Sequence, residues 1–318
     1  MKPRLVFVHG VGGPRDPAAE LGRWLGALAD GALAAGHATR VPGLVRGATA
    51  DARFAYYGDL FAAPEAQGGG EAEDARFDDA HALLREAIDL RLAEHAEDDG
   101  EARVLHHARA QLAPDGQAQG SGSVARQVLS AANTLLAVPG LRTFGRWASA
   151  RLMVGHLTQV TRYLARGEAD ATGRTLDARV RRRVSEALDP ALPTVLVAHS
   201  LGTVVALEAL SDYRGEIPLL LTLGSPLGLR AMVGRRTRPQ PPRVPGAVAK
   251  WVNVWDRDDL IVGRPMLEKF FEPNDRSVLP DTRRVDSDGA WVHPAMKYLA
   301  QPGAAGPVVE AIEVVTKP

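Results

Sequence analysis

An α/β fold with a mostly parallel central sheet, helices on both of its faces and a large helical insertion is predicted by three observations. Short apolar runs rich in β-branched residues end in glycine or polar residues. Helix-like segments follow them. In the middle of the chain the strand runs vanish and helical periodicity takes over. The first run, Leu5-Val6-Phe7-Val8, is stopped by His9-Gly10-Val11-Gly12-Gly13-Pro14 and reads as a strand covered on both faces, which implies a parallel sheet. Asp16 then offers an N-cap and Pro17 a first helical residue, ahead of Leu21, Trp24, Leu25 and Leu28 at helical spacing. Phe54-Ala55-Tyr56-Tyr57 reads as another short strand.

Between about residues 62 and 188, Ala, Glu and Arg dominate, and breaks rich in Gly, Gln and Ser at Gln67 to Gly70 and Gln117 to Ser123 divide the region. Fourteen acidic and five basic residues lie between Glu65 and Asp115, against four acidic and eleven basic between Gly116 and Leu188, so the two halves are expected to pack together. The second half is also strongly apolar, carrying Leu135, Leu136, Val138, Leu141, Phe144, Trp147, Leu152, Met153, Leu157, Val160 and Tyr163 around Pro139-Gly140. Strand texture returns with Thr194-Val195-Leu196-Val197-Ala198, followed by His199-Ser200-Leu201-Gly202 and a helix over 203–210. Leu219 to Leu223 and Trp251 to Trp255 are the third and fourth buried runs, and each ends in polar or glycine residues at the sheet edge where α/β proteins bind ligands. At roughly 150 residues per domain, the length fits either two domains or one α/β domain with an insertion. The texture assigns 1–61 and 189–318 to the α/β core and 62–188 to a helical lid, cap or accessory region.

Composition removes several classes of function. With 45% hydrophobic and 24% charged residues the chain is globular, and no apolar run approaches a membrane span. Cysteine is absent, which excludes disulfides, thiolate nucleophiles and zinc sites built on Cys. Thirty-eight basic and thirty-eight acidic residues balance, so nothing global points to nucleic acid. Met1-Lys2-Pro3-Arg4 leads into too short an apolar run for a signal peptide, and a cytoplasmic protein is expected.

The segment Ala198-His199-Ser200-Leu201-Gly202 lies between a predicted strand and a predicted helix, the context in which a nucleophilic serine is displayed on a sharp turn. Ala198 replaces the usual first glycine; the position needs a small side chain, and alanine is the least disruptive substitute. A serine hydroxyl needs an imidazole to take its proton and a carboxylate to hold that imidazole in the right tautomer. Of nine histidines, only His293 follows Ser200, in Ala290-Trp291-Val292-His293-Pro294, so chain order selects it as the base. The acid comes from Asp256, Asp258 and Asp259 after the fourth strand, and those not used are expected to be more exposed. Oxyanion donors are expected from the backbone amides of Val11 and Leu201. The loop at Gly10 lacks the continuation of a phosphate-binding motif, and no cofactor or metal enters this chemistry.

With these motifs in this order, the sequence resembles the α/β-hydrolase superfamily, in its lipase-like serine esterase branch. The resemblance is carried by Val6-Phe7-Val8-His9-Gly10, Ala198-His199-Ser200-Leu201-Gly202, Leu223-Gly224-Ser225-Pro226-Leu227 and Trp251 to Asp256 followed by Asp259. It covers about Leu5 to Tyr57 and Thr194 to Leu299 and leaves out the helical insertion. It implies that the acid is Asp259, the aspartate before a hydrophobic pair, here Leu260-Ile261, with Asp256 as the alternative because Leu260 stands where proline is frequent.

The expected activity is cleavage of a carboxylic ester by Ser200, His293 and Asp259 through an acyl-enzyme, with a small-molecule or lipid-like acyl substrate. A thioesterase, amidase or acyltransferase would use the same groups, and a non-catalytic interaction protein of this fold is the rival from another class. The apolar helices between Val124 and Leu164 are expected either to line an acyl pocket or simply to pack the insertion. Association with a membrane surface, for which Arg142, Arg146 and Arg151 would flank an apolar face, is not expected. The arginines at 179–183 and 230–243 could attract a phosphate-bearing substrate, but read better as solvated charge.

Overall fold

The structure is a computed structural model that describes residues 2–13, 15–62, 70–94, 100–112, 122–136, 150–287 and 292–317. Six strands, β1 (Arg4–Val8), β2 (Asp51–Ala55), β3 (Thr194–His199), β4 (Leu219–Leu223), β5 (Trp251–Asp256) and β6 (Pro280–Val285), form one wholly parallel sheet in the order β2-β1-β3-β4-β5-β6. The described helices are α1 (Pro17–Ala34), α2 (Val41–Val45), α3 (Gly70–Leu92), α4 (Gly100–Gln111), α5 (Gly122–Leu135), α6 (Ala150–Leu164), α7 (Leu176–Ala187), α8 (Leu201–Leu210), α9 (Ala295–Leu299) and α10 (Pro302–Thr316).

Successive side chains of a strand point to opposite faces, and the continuous apolar runs supply both. Leu5, Phe7, Val195, Val197, Leu221 and Val254 pack under α1, α9 and α10 with Trp24, Leu28, Tyr298 and Ile312. Their neighbours Val6, Val8, Leu196, Ala198 and Leu220 face α8 and the helices of the middle region. Within that region α3 packs on α5 and α6, while α7 lies against α8 and β2. Apolar residues from α3 to α7, such as Leu84, Leu105, Val128, Leu157 and Val180, join the sheet residues of this face in one buried cluster. The two halves of the region thus meet through apolar helix faces.

Several expected boundaries move. Tyr56 and Tyr57 lie beyond the end of β2, and α8 begins at Leu201 rather than Thr203. β6 was not anticipated: as an edge strand it carries Asp281, Arg283 and Arg284, charges that discourage pairing with another chain and erase the apolar signature. Its neighbour β5 extends one residue further than the apolar run, to Asp256. The arginines at 179–183 find internal partners, Arg181 with Asp177 and Glu208, Arg182 with Glu186 and Arg183 with Asp59. In the second arginine-rich loop Arg236 makes a bidentate pair with Asp79 of α3, and the amides of Ala231 and Met232 donate to Glu86. Leu141, Arg142, Phe144, Arg146 and Trp147, weighed above as pocket or membrane residues, lie outside the described residues.

Candidate active site

The strand order reverses direction between β1 and β3, so the chain leaves their carboxyl ends to opposite sides and opens a crevice there. Both sequence motifs lie at this point. Ser200 follows β3 directly and holds φ 53° and ψ −129°, a conformation that is strained for a residue with a Cβ and persists only when its surroundings enforce it. Glycines make the turn sterically feasible. A Cβ on Gly10 would stand 2.6 Å from Ser200 Cβ, and one on Gly202 would stand 2.4 Å from the carbonyl oxygen of His9.

The hydroxyl of Ser200 donates to His293 Nε2 at 3.0 Å, and His293 Nδ1 donates to Asp259 Oδ2 at 2.7 Å. The carboxylate can only accept, so this geometry places a proton on Nδ1 and turns Nε2 toward the serine. All three residues are buried. Asp259 reaches His293 because it ends the turn after β5 and caps the short helical turn Leu260–Val262, its Oδ1 accepting from the amide of Ile261 at 3.1 Å. Asp256 is turned away: its Oδ1 accepts from the amide of Asp258 and its Oδ2 from the amide of Ser287. The expectation that the unused carboxylates would be more exposed fails for Asp256, which is 1% exposed against 6% for Asp259, because those two backbone donors satisfy it in place. It holds for Asp258, whose side chain is 53% exposed and pairs with Arg91.

Two positioning contacts were not anticipated. Tyr298, on α9, donates its phenol proton to Asp259 Oδ2 at 2.7 Å and accepts from the amide of Asp256 at 3.1 Å. Burial, and then the adjacent Asp259, push this phenol well above its usual value, so it remains a donor. His199 Nε2 donates to the carbonyl of His293 at 2.6 Å, tying the residue before Ser200 to the loop that carries the imidazole. An aromatic residue five positions past a histidine, or a histidine before a serine, carries no pattern that separates such roles from ordinary packing.

Among the described residues no hydrogen bond occupies the backbone amide of Val11 or of Leu201. Beside Ser200 and His293, Leu83, Leu157, Val160, Pro226, Leu229 and Ile261 line an apolar cleft. A second, more polar cleft shares Val11, His156 and His293 with the first and is lined by His9, Arg15, His199 and Met296 among others. Leu83 of α3 and Leu157 and Val160 of α6 bring the helical region to the serine, while Leu135 and Met153 are buried in the core. No group of three or more potential metal ligands occurs among the described residues. Comparison with known proteins found no matching family model, curated protein or solved structure.

Proposed function

We propose that this protein is a serine hydrolase of the α/β-hydrolase type that cleaves a carboxylic ester with an apolar acyl part. The observation that carries the reading is the unbroken relay from Ser200 Oγ through His293 to Asp259, at 3.0 and 2.7 Å, on a serine held in a strained turn at the crevice of a parallel sheet. Ser200 attacks the ester carbonyl while His293 Nε2 takes its proton, and the imidazolium is stabilised by Asp259. The amides of Val11 and Leu201 receive the negative charge of the tetrahedral intermediate, a kind of donor worth about 10²–10³ in rate. His293 then returns the proton to the leaving alcohol, and water, activated by the same imidazole, releases the acyl group from Ser200. The apolar cleft at Ser200 supports an alkyl or aryl acyl chain.

A fluorophosphonate probe tests the class: labelling is expected in the native protein and absent in Ser200→Ala, and an intact protein that stays unlabelled would leave an interaction role for this fold. Turnover of p-nitrophenyl esters of increasing acyl length, alongside a thioester, tests the substrate. Rates that rise with chain length are expected; equal rates at all lengths would remove the acyl-cleft assignment.

A further inference from the structure

The loop between β1 and α1 is held peptide by peptide. The carbonyl of His9 accepts from the hydroxyl of Tyr57. The next carbonyl, that of Gly10, accepts from His9 Nδ1 at 2.7 Å, while His9 Nε2 accepts from the amide of Tyr57 at 3.1 Å. A carbonyl can only accept and an amide can only donate, so both contacts demand the same neutral tautomer of this buried imidazole. The third peptide, between Val11 and Gly12, is gripped at both ends: Arg15 Nη2 donates to the carbonyl of Val11 at 3.0 Å, and the amide of Gly12 donates to Gln159 Oε1 at 2.8 Å.

In a planar trans peptide the C=O and N–H point in opposite directions. Fixing the carbonyl of Gly10 on the His9 ring therefore fixes the N–H of Val11 on the far side of the same plane. The rotation left to Val11 is limited by the next plane, which Arg15 and Gln159 hold. Gln159 is the distant member of this set. It lies on α6, in the middle region of the chain, 147 positions from the loop it contacts.

We infer that Gln159 is a positioning residue: through the amide of Gly12 it holds the next peptide plane and so limits the rotation of the Val11 N–H away from the oxyanion, which makes the helical region a part of the catalytic apparatus as well as a wall of the acyl cleft. This rests on the esterase reading above. A donor must already point at the oxyanion position before charge develops there, and a displaced one gives up much of its effect.

The test compares Gln159→Leu, which removes the acceptor at similar volume, with Gln159→Glu, which keeps an acceptor oxygen. The readouts are kcat and KM for a p-nitrophenyl ester, the inhibition constant of a trifluoromethyl ketone that forms a tetrahedral oxyanion on the serine, and the melting temperature. For Gln159→Leu we expect kcat to fall about tenfold or more, as for part of an oxyanion donor, with KM within about twofold and ketone binding weakened by the same factor as kcat. Gln159→Glu should recover most of both losses. A Gln159→Leu protein that keeps its kcat, or one that loses kcat without weaker ketone binding, overturns the inference. So does a Gln159→Glu protein that folds but remains as impaired as Gln159→Leu. If the leucine variant does not fold, the glutamate variant decides on its own: kcat and ketone affinity near native values support the positioning role, and parallel loss of both does not. A native protein that takes the fluorophosphonate at Ser200 while Gln159→Leu stays fully active removes this inference alone; a native protein that takes no label removes the esterase reading with it.

Discussion

Asp256, at the end of β5, and Asp259, in the turn that follows, present the same carboxylate and differ in which donors face them. Asp259 accepts from His293, Tyr298 and the amide of Ile261, whereas Asp256 accepts from two backbone amides. Asp259→Asn offers His293 an N–H group or a wrongly held oxygen and is expected to lower kcat by about 10⁴, the loss that follows when a triad imidazole is left in the wrong tautomer. Asp256→Asn turns an NH₂ toward a backbone donor. It should cost about 1–3 kcal/mol of stability for the broken buried hydrogen bond and leave kcat close to native. Steady-state kinetics with thermal melting separates the two, and the reverse pattern would move the acid to Asp256. Tyr298→Phe deletes the hydrogen bond to the Asp259 carboxylate, worth about 1.5–3 kcal/mol, and also takes the acceptor from the amide of Asp256. Part of that bears on the transition state, so a decrease in kcat of about tenfold is expected. Ser200→Gly probes the turn itself: glycine tolerates a positive φ, so the variant should be inactive yet more stable than Ser200→Ala, by about 1 kcal/mol or more in denaturant unfolding. Equal stability would mean that the turn carries no strain.

At the scale of elements, the turn works because β1 and β3 are neighbours and their loops touch. The absent side chain of Gly202 leaves room for the carbonyls of Val8, which ends β1, and of His9, which opens the loop that would supply the amide of Val11. Gly202→Ala is expected to force these loops apart, at a cost of about 1–3 kcal/mol for overpacking, with a disproportionate loss of kcat; native activity in this variant would show that the approach is not tight. The strands legible with nearly correct bounds are those buried on both faces, whereas the edge strand β2 shows only as the run Phe54 to Tyr57, whose last two residues lie beyond it. β1, β3, β4 and β5 announce themselves as unbroken apolar runs because helices cover both sides, and chain order singled out the histidine that the structure brings to Ser200, because only His293 follows it. β6 was illegible because an edge strand has one partner and carries arginines and an aspartate. The choice between Asp259 and Asp256 could not be read from the residues alone, since it depends on how one turn after β5 directs two identical side chains. The contacts of His9, Tyr57 and Gln159 with the loop after β1 were hidden for another reason: each is made to backbone groups, which every residue possesses and no motif marks.

Across the whole molecule, a buried ionic cluster ties the middle region to the sheet face. Arg166, just past α6, reaches Asp177 of α7 at 3.0 Å and Glu208 of α8 at 2.5 Å; Arg181 joins the same two carboxylates, and Tyr163 donates to Glu208 at 2.6 Å. Glu208 also accepts from the amide of Arg238, in the loop after β4. Removing it in Glu208→Ala leaves Arg166 and Arg181 with Asp177 alone as their shared carboxylate, takes the acceptor from the Tyr163 hydroxyl and the Arg238 amide, and is expected to cost about 3–5 kcal/mol. The loss should appear in tryptophan fluorescence and far-ultraviolet circular dichroism as one shifted transition, because the helices and the sheet share one apolar cluster. Two separate transitions would show that the middle region unfolds as its own unit. The same cluster helps to set the pH window. Asp177 is held below its ordinary value of 3.8: burial alone would raise it, but the neighbouring Thr175 hydroxyl, the hydrogen bond and charge of Arg181 and the hydrogen bond from Arg166 outweigh that. A depressed carboxyl stabilises the fold above its unfolded value and loses that contribution as pH falls toward the folded one, so acid should weaken the protein from about pH 4 downward. Tyr57, Tyr163 and Tyr298 are shifted the other way, raised above 10 chiefly by burial, with Glu208 adding to the shift of Tyr163 and Asp259 to that of Tyr298. The folded chain then keeps protons that the unfolded chain releases above about pH 10, and stability falls steadily as pH rises past that point. Urea midpoints measured from pH 3 to 12 should therefore hold a plateau between these limits. Tyr163→Phe, which cannot ionise, should lie below the native protein on the plateau and flatten the alkaline limb; an unchanged alkaline slope would mean that Tyr163 is not among the groups that set it.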